Sequence, residues 1–494
     1  MFKERKTKNS KNHSELIKTL LHSLPKEEVI HEPEELSVYE CDGLTAFKVL
    51  PLAVVIPQKI AEILVILSAC KRFGVPIVVR GGGTGLSGGA TPVEGGIVLS
   101  LSKFNQILEI DPINRIARVE PGVTNMQVSQ AAAPYGLYFA PDPSSQIACT
   151  IGGNIAENAG GIHCLKYGLT VNNVLAIKML TVEGEIVSIG NVGGESPGCD
   201  LLSLIVGSEG MLGIVIEATL RLVPKPECAK LVVGCFDDIT KASKTVSQII
   251  ASGIVPAGLE IMDKLVIEAV QFYIQVGFPI SVAAVLLCEL DGMFEEVEEE
   301  CRLVEQMMIQ MGATEIILSK NEEERLLLWK ARKSAFPAAG RISPDYYCMD
   351  GTIPRKSLAF VLNRIAELAA QYNLRVGNVF HAGDGNIHPL ILYDNSIAGE
   401  KERVESLGEK ILELCVEVGG SITGEHGVGL EKLGPMCFQF SLEEIWQFHR
   451  LKRALDPHAL LNPGKAIPTL HRCAEFGKMH VHQGQIAFRN VERF

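Results

Sequence analysis

Apolar residues recur at helical spacing through Lys59–Phe73 (KIAEILVILSACKRF), and Gly74 stands where a helix C-cap is expected. The stretch after it, VPIVVR (75–80), is rich in β-branched residues and predicts a strand. Short strands are predicted at 96–101 and 115–122, then a helix over 126–136 that stops at Gly136. Alternation on either side of Glu183-Gly184 predicts a hairpin over 174–190. Ahead of all these, 14–30 carries the pattern of a short amphipathic helix. The sequence LVPKPE (222–227) marks a domain boundary. Beyond it, strands at 230–236 and 280–290 alternate with charged helices over 294–312 and 321–336. The glutamate run in the first of these helices reads as a solvated face.

This pattern is α+β. With 494 residues it exceeds one hydrophobic core. The expected division is an N-terminal helical segment (1–45), a first domain (46–225), a second (226–468) and a tail (469–494). A hydrophobic content of 47% fits large cores and subunit interfaces. The net charge of −12 excludes nucleic acid as an expected partner. The basic start MFKERKTKNSKNHS lacks the apolar run of a secretion signal, and no stretch approaches the ~18 apolar residues of a membrane span. The expected location is cytoplasmic, with membrane association peripheral and on the inner face. Thirteen cysteines, an odd number with no C-x-x-C pair, fit reduced thiols rather than a disulfide framework. They also leave this chain without the ligand pattern of an iron–sulfur cluster or zinc ribbon.

Glycine changes the picture in two places. Gly81, Gly82, Gly83, Gly85, Gly88 and Gly89 crowd the segment after the 75–80 strand, and Gly152, Gly153, Gly160 and Gly161 crowd a second. Gly83-x-Gly85-x-x-Gly88 matches a dinucleotide fingerprint, and Glu109 lies about 20 residues on, where a ribose-binding acid belongs. That motif needs a helix starting at the glycines, and Pro92, Gly95 and Gly96 exclude one. Two glycine-dense loops can still bring backbone N–H groups to a diphosphate without helices.

Polar chemistry concentrates at FHAGDGNIHP (380–389), where His381 and His388 flank a Gly-Asp-Gly-Asn corner. Seven positions would align both on one helix face, but Gly383, Gly385 and Asn386 favour strand, tight corner, strand. Such a constellation serves a metal site, an active-site corner or a hydrogen-bonded turn.

The stretches PIVVRGGGTGLSGGATP, PDPSSQIACTIGGNIAENAGG and LIVGSEGMLGIVIEATLRLVP together resemble the FAD-binding domain of vanillyl-alcohol oxidase-type (PCMH-type) flavoproteins. GNVFHAGDGNIHP, GGSITGEHGVGLEK and LDPHALLNPGKAIP resemble the C-terminal FAD-linked oxidase domain of their D-2-hydroxyacid dehydrogenase branch. WKARKSAFPAAGRISPDYYCMDGTIPR and PTLHRCAEFGKMHVH narrow the resemblance to the glycolate-oxidising members.

The resemblance implies a fold of a PCMH-type FAD-binding domain plus an α+β C-terminal domain. It implies FAD contacts from Arg80, Gly81, Gly82, Gly83, Thr84, Gly85, Leu86 and Gly88 in the first loop. Pro141, Asp142, Ser145, Gly152, Gly153, Asn154, Asn158, Gly160 and Gly161 follow in the second. Glu209, Gly213, Ile214, Val215 and Asn462 complete the set. Some relatives attach flavin through a histidine in the first loop; Gly83-Thr84-Gly85 stands here, so FAD is expected to be non-covalent. A divalent metal, zinc or manganese, is expected on His381, His388 and Glu425, with Asp384 and Asn386 shaping the turn behind it. His426 matches the family's general base. Arg332 is the candidate for holding a substrate carboxylate.

Hydroxyglutarate-oxidising relatives carry an extra threonine and lysine where Phe336 and Cys348 fall. The expected substrate is therefore a small monoacid, glycolate or D-lactate, giving up a hydride to FAD. A D-lactate dehydrogenase of the same family is the nearest alternative reading, and a non-catalytic flavin-binding scaffold subunit the more distant one. The implied partners are a second flavin-binding subunit and an iron–sulfur subunit, passing electrons to a membrane or other non-oxygen acceptor.

Overall fold

The computed structural model describes the backbone of residues 2–193, 198–469 and 473, and side chains from residue 11 onward. Most of the expected tail (469–494) lies outside the described residues. Two compact units are present. The first comprises residues 1–159, 169–224 and 426–494, and the second 160–168 with 225–425.

The first unit holds two main sheets. Val29–Ile30, Ala53–Val55, Ile97–Ser100 and Ile77–Arg80 form one, in that order, with the last three strands parallel. Ala53, Val55, Ile77, Ile97 and Leu99 pack with Leu16 and Leu20 of the helix Phe2–Ser23 and Ile63 and Ile66 of the helix Ile60–Phe73. Gly74 closes the second helix at φ +65°, the left-handed geometry expected of a C-cap. The sequence pattern carried the first helix too far. It ends at Ser23, before Pro25, and Val29 and Ile30 instead pair with Val55 and Val54. The other sheet is antiparallel and contains the predicted hairpin, as the strands Val174–Leu180 and Ile186–Gly190.

The chain from His426 onward belongs to this first unit, whereas 226–468 was expected to form one domain. Leu460 and Leu461 are buried in the first sheet's core, and Asn462 donates its backbone N–H to the Ile77 carbonyl at 2.8 Å. Cys437 and Cys473 are joined by a disulfide, against the expectation of reduced thiols. Their Cα atoms approach to 5.2 Å, inside the range a disulfide spans.

The second unit is built on an antiparallel sheet. Along it run Ala313–Leu318, Cys228–Phe236, Ala284–Gly292, Gly258–Asp263, Arg375–His381, Asn386–Tyr393 and Asp345–Cys348, and Gly351–Thr352 adds to the Asn386–Tyr393 strand. Val233, Leu231, Val285, Leu287 and Met262 form its core with Val266 and Val270 of the helix Lys264–Tyr273. Segment 160–168 is stapled on by charge. Glu289 is 3% exposed and bonds His163 Nε2 at 3.0 Å and Arg325 Nη1 at 2.6 Å. Two residues on, Asp291 accepts from Lys166 Nζ and from Tyr167 Oη. Among the described residues, no helix is long and apolar enough to cross a membrane.

Candidate active site and cofactor loops

The corner at 382–385 joins two strands, as the glycines require. His381 lies opposite Asn386 and Val379 opposite His388, so the two histidines share one face of the antiparallel pair. Gly385 adopts φ +84°, and a Cβ there would collide with the Ile353 carbonyl. The imidazole rings stand 5.1 Å apart and perpendicular.

Glu425 completes the group. Its Oε1 lies 3.2 Å from His381 Nε2 and 3.0 Å from His388 Nε2. The other ring nitrogens point back into protein: His381 Nδ1 to Glu260 Oε1 at 2.7 Å, and His388 Nδ1 to the Met349 carbonyl at 3.3 Å. With each Nδ1 held by protein, each Nε2 faces the Glu425 carboxylate, where a bound cation would find two ring nitrogens and a carboxylate oxygen. One ligand atom from each residue lies within 4.8 Å of the others, and two imidazoles with a carboxylate suit zinc or manganese. Burial opposes charge on both groups, yet Glu260 and Glu425 hold the His381 pKa well above its ordinary value. The two imidazoles in turn hold Glu425 well below its own.

Sequence reasoning missed two carboxylates that build this site. Asp350 is fully buried and accepts from Thr423 Oγ1 at 2.7 Å and from the backbone N–H groups of Gly424 and Glu425 at 3.0 and 3.1 Å. It also accepts from Asn386 Nδ2 at 2.8 Å. Asn386 thereby ties its strand to the segment that carries Asp350 and Gly351. Asp384 accepts the Asn386 N–H, and burial raises its pKa to about 6.

Glu260, the second, is 0% exposed and binds Arg332 as well as His381. Arg332 is therefore no surface residue: it is 1% exposed, with Nε and Nη2 at 2.8 and 2.6 Å from Glu260 Oε2. A charged residue between Leu259 and Ile261 in an apolar strand was the available signal for Glu260.

In the first unit the glycine loops are packed backbone to backbone. A Cβ on Gly82 would lie 2.6 Å from the Ala148 carbonyl oxygen, and one on Gly152 2.7 Å from Pro121 Cβ. No helix follows the first loop, and Glu109 is paired with Arg118 at the surface, so the Rossmann reading stays excluded. The second loop does contain a helix, Ile151–Glu157, N-capped by Thr150, where loop alone was expected. Several buried polar atoms here lack a protein partner: Ser87 Oγ, Thr91 Oγ1, Asn154 Nδ2 and Glu157 Oε2. Orphaned buried donors and acceptors beside glycine backbone fit a polar cofactor such as FAD.

Other expected contacts have structural partners of their own. Arg80 Nη1 donates to the Cys41 carbonyl at 2.7 Å. Asn158 caps the helix at φ +54° and accepts the Val171 N–H. The Ile214 side chain is in the core. Pro141 accepts from Asn125 Nδ2. Gly160 and Gly161 fall in the second unit. Asn462 donates from Nδ2 to the Gly89 and Glu209 carbonyls, at 3.0 and 2.7 Å. Glu209 takes the N–H groups of Val428 and Gly429 at 2.7 and 2.8 Å, and Lys432 Nζ donates to the Gly427 carbonyl at 3.0 Å. These bonds hold the loop that begins at half-buried His426, the residue following Glu425.

Comparison with known proteins divides the chain by sequence, and there the C-terminal model runs on through residue 466, close to the expected 226–468. The model for the FAD binding domain matches residues 51–190, and that for FAD linked oxidases, C-terminal domain, matches 225–466. The chain is 56% identical over 479 residues to glycolate oxidase subunit GlcD of Escherichia coli K12, covering 97% of this chain and 96% of that one. It is 34% identical to a D-lactate dehydrogenase of Archaeoglobus fulgidus, over 84% of this chain and 91% of the other. Among solved structures, p-cresol methylhydroxylase superposes with a TM-score of 0.80 at 18% identity, covering 93% and 98% of the two chains. The chain belongs to the family of FAD-linked oxidases, with a vanillyl-alcohol oxidase-type FAD-binding domain followed by an FAD-linked oxidase C-terminal domain.

Proposed function

We propose that this chain is the FAD-bearing catalytic subunit of a glycolate-oxidising complex, converting glycolate to glyoxylate. The observation that carries the reading is the convergence of His381, His388 and Glu425, in a chain 56% identical to a glycolate oxidase subunit. The reaction removes a hydride from the carbinol carbon and a proton from the hydroxyl.

FAD, when bound without a covalent link at the glycine loops, supplies the hydride acceptor. A divalent cation on His381, His388 and Glu425 supplies a lowered hydroxyl pKa. The protein's own groups do the rest. His426 accepts the hydroxyl proton. Arg332 has two donors committed to Glu260, and its Nη1 edge is left to hold the substrate carboxylate. Phe336 packs edge-on against Tyr346, and neither it nor Cys348 offers a cation for a second carboxylate. This supports a monoacid.

D-Lactate is the second substrate to consider, because D-lactate dehydrogenases are among the relatives. One methyl group in a pocket is worth only ~1–3 kcal/mol, so some turnover of both acids is expected. Electrons leave through partner subunits, one flavin-binding and one holding iron–sulfur clusters. The complex lies on the cytoplasmic side, touching the membrane peripherally. Anaerobic mixing with glycolate, D-lactate and L-lactate tests the assignment. Flavin bleaching by glycolate and slower bleaching by D-lactate are expected, and no bleaching by either overturns it.

A further inference from the structure

Glu260 stands in the middle of the Gly258–Asp263 strand, directly across from His381 and fully buried. A carboxylate in the interior of a sheet is costly unless charge and hydrogen bonds compensate it. Here its two oxygens are divided. Oε2 takes Nε and Nη2 of Arg332 at 2.8 and 2.6 Å, and Oε1 takes Nδ1 of His381 at 2.7 Å.

We propose that Glu260 is a positioning residue that fixes the Arg332 guanidinium and the His381 imidazole against each other, so that both can hold one small anionic substrate. The inference rests on the function proposed above.

Two physical consequences support it. An arginine and a divalent cation gripping the same small anion repel each other at short range. The Glu260 charge lies between the guanidinium and the imidazole ligand and offsets that repulsion. The two histidines are also held unequally. His388 Nδ1 meets the Met349 carbonyl at 3.3 Å with the Asp350 carboxylate 4.0 Å away, whereas His381 Nδ1 bonds the Glu260 carboxylate directly at 2.7 Å. A carboxylate behind a ligand imidazole fixes its ring and raises its basicity. His381 is thereby the more firmly oriented donor of the two.

The test uses the full chain with FAD bound, as the parent, Glu260→Gln and Glu260→Asp. Zn²⁺ or Mn²⁺ affinity is read by competition with a chromogenic chelator, and KM and kcat for glycolate are measured alongside FAD content. Glu260→Gln should weaken ion affinity by about 10–100-fold and raise KM more than it lowers kcat, with FAD content unchanged. Glu260→Asp keeps the charge and should recover part of the affinity. Parental ion affinity and parental KM in Glu260→Gln overturn the inference.

Where Glu260→Gln does not accumulate folded, Glu260→Gln/Arg332→Met removes both buried charges together, and weakened ion affinity is again expected. Parental affinity in that double variant overturns the proposal. A parent chain that binds neither ion sinks the metal-site reading instead. The inference is then decided by KM alone, and an unchanged KM in Glu260→Gln overturns it.

Discussion

Asp350 accepts the backbone N–H of Glu425 at 3.1 Å, so a buried acid in the link between the strands Asp345–Cys348 and Gly351–Thr352 fixes the backbone of a candidate metal ligand. The same carboxylate holds Thr423, Gly424 and Asn386. Replacing it by alanine leaves several donors buried without an acceptor, at about 1–3 kcal/mol for each one that stays dry. Asp350→Ala should lower the urea midpoint and lose bound zinc or manganese while keeping FAD. Elemental analysis beside a flavin spectrum checks this, and undiminished metal content would show that the loop holds itself.

His388→Ala removes one nitrogen from the three-residue set and touches none of the glycine loops' own bonds. Metal content and glycolate oxidation should fall together, with about one FAD per chain retained. Full activity in metal-free protein would refute the metal assignment.

For His426 the informative substitution is asparagine, which keeps hydrogen bonding but cannot accept a proton near neutral pH. Reduction of bound FAD by glycolate should slow by ~10²–10⁴-fold, and the acidic limb of its pH profile should disappear. FAD and metal content should match the parent. A change of only a few-fold in rapid mixing would assign the proton to another group.

No histidine stands in the first glycine loop, where Gly83-Thr84-Gly85 is found. Acid precipitation should therefore leave the flavin in the supernatant, at about one FAD per chain. Yellow colour retained by the pellet would mean a covalent link.

Asp263 gives a pH signature. Burial raises its pKa to about 6, against the lowering effect of N–H donors from Val266 and Asn378. The folded state therefore holds a proton that the unfolded state releases near pH 4. Its favourable contribution is complete below about pH 4 and is lost as pH rises through about 6. Relative to Asp263→Asn, the parent should lose on the order of 2–3 kcal/mol between pH 4 and pH 7. Urea unfolding of both proteins at the two pH values measures the difference, and a pH-independent difference would place Asp263 at an ordinary pKa.

Much of this was legible because it rests on local backbone constraints. Gly74, Gly385 and the Glu183-Gly184 corner were readable as caps and turns, since few other residues tolerate their geometry. The histidine pair followed from the corner between its strands. Glu260 left only the trace of a charged residue inside an apolar strand, and Asp350 left none, because a pattern of apolar positions does not say what a buried acid will bind. The Ile151–Glu157 helix was hidden by its glycines, which weaken helix locally while packing against Pro121 and Thr150 holds it in place. The return of His426–Pro468 to the first unit depends on the burial of Leu460 and Leu461, a long-range preference without a local signature.

The staple at Glu289 and Asp291 bears on how this architecture can be dissected or inherited. The second unit is not encoded by one uninterrupted stretch: nine of its residues, Gly160 to Gly168, are spelled out within the first. A fragment starting at Lys225 and stopping at Glu425 would omit His163, Lys166 and Tyr167 and strip two interior acids of those partners. Such a cassette should express as an insoluble product. Recombination that swaps the second unit between relatives without the short upstream insert should yield a product lacking the same partners.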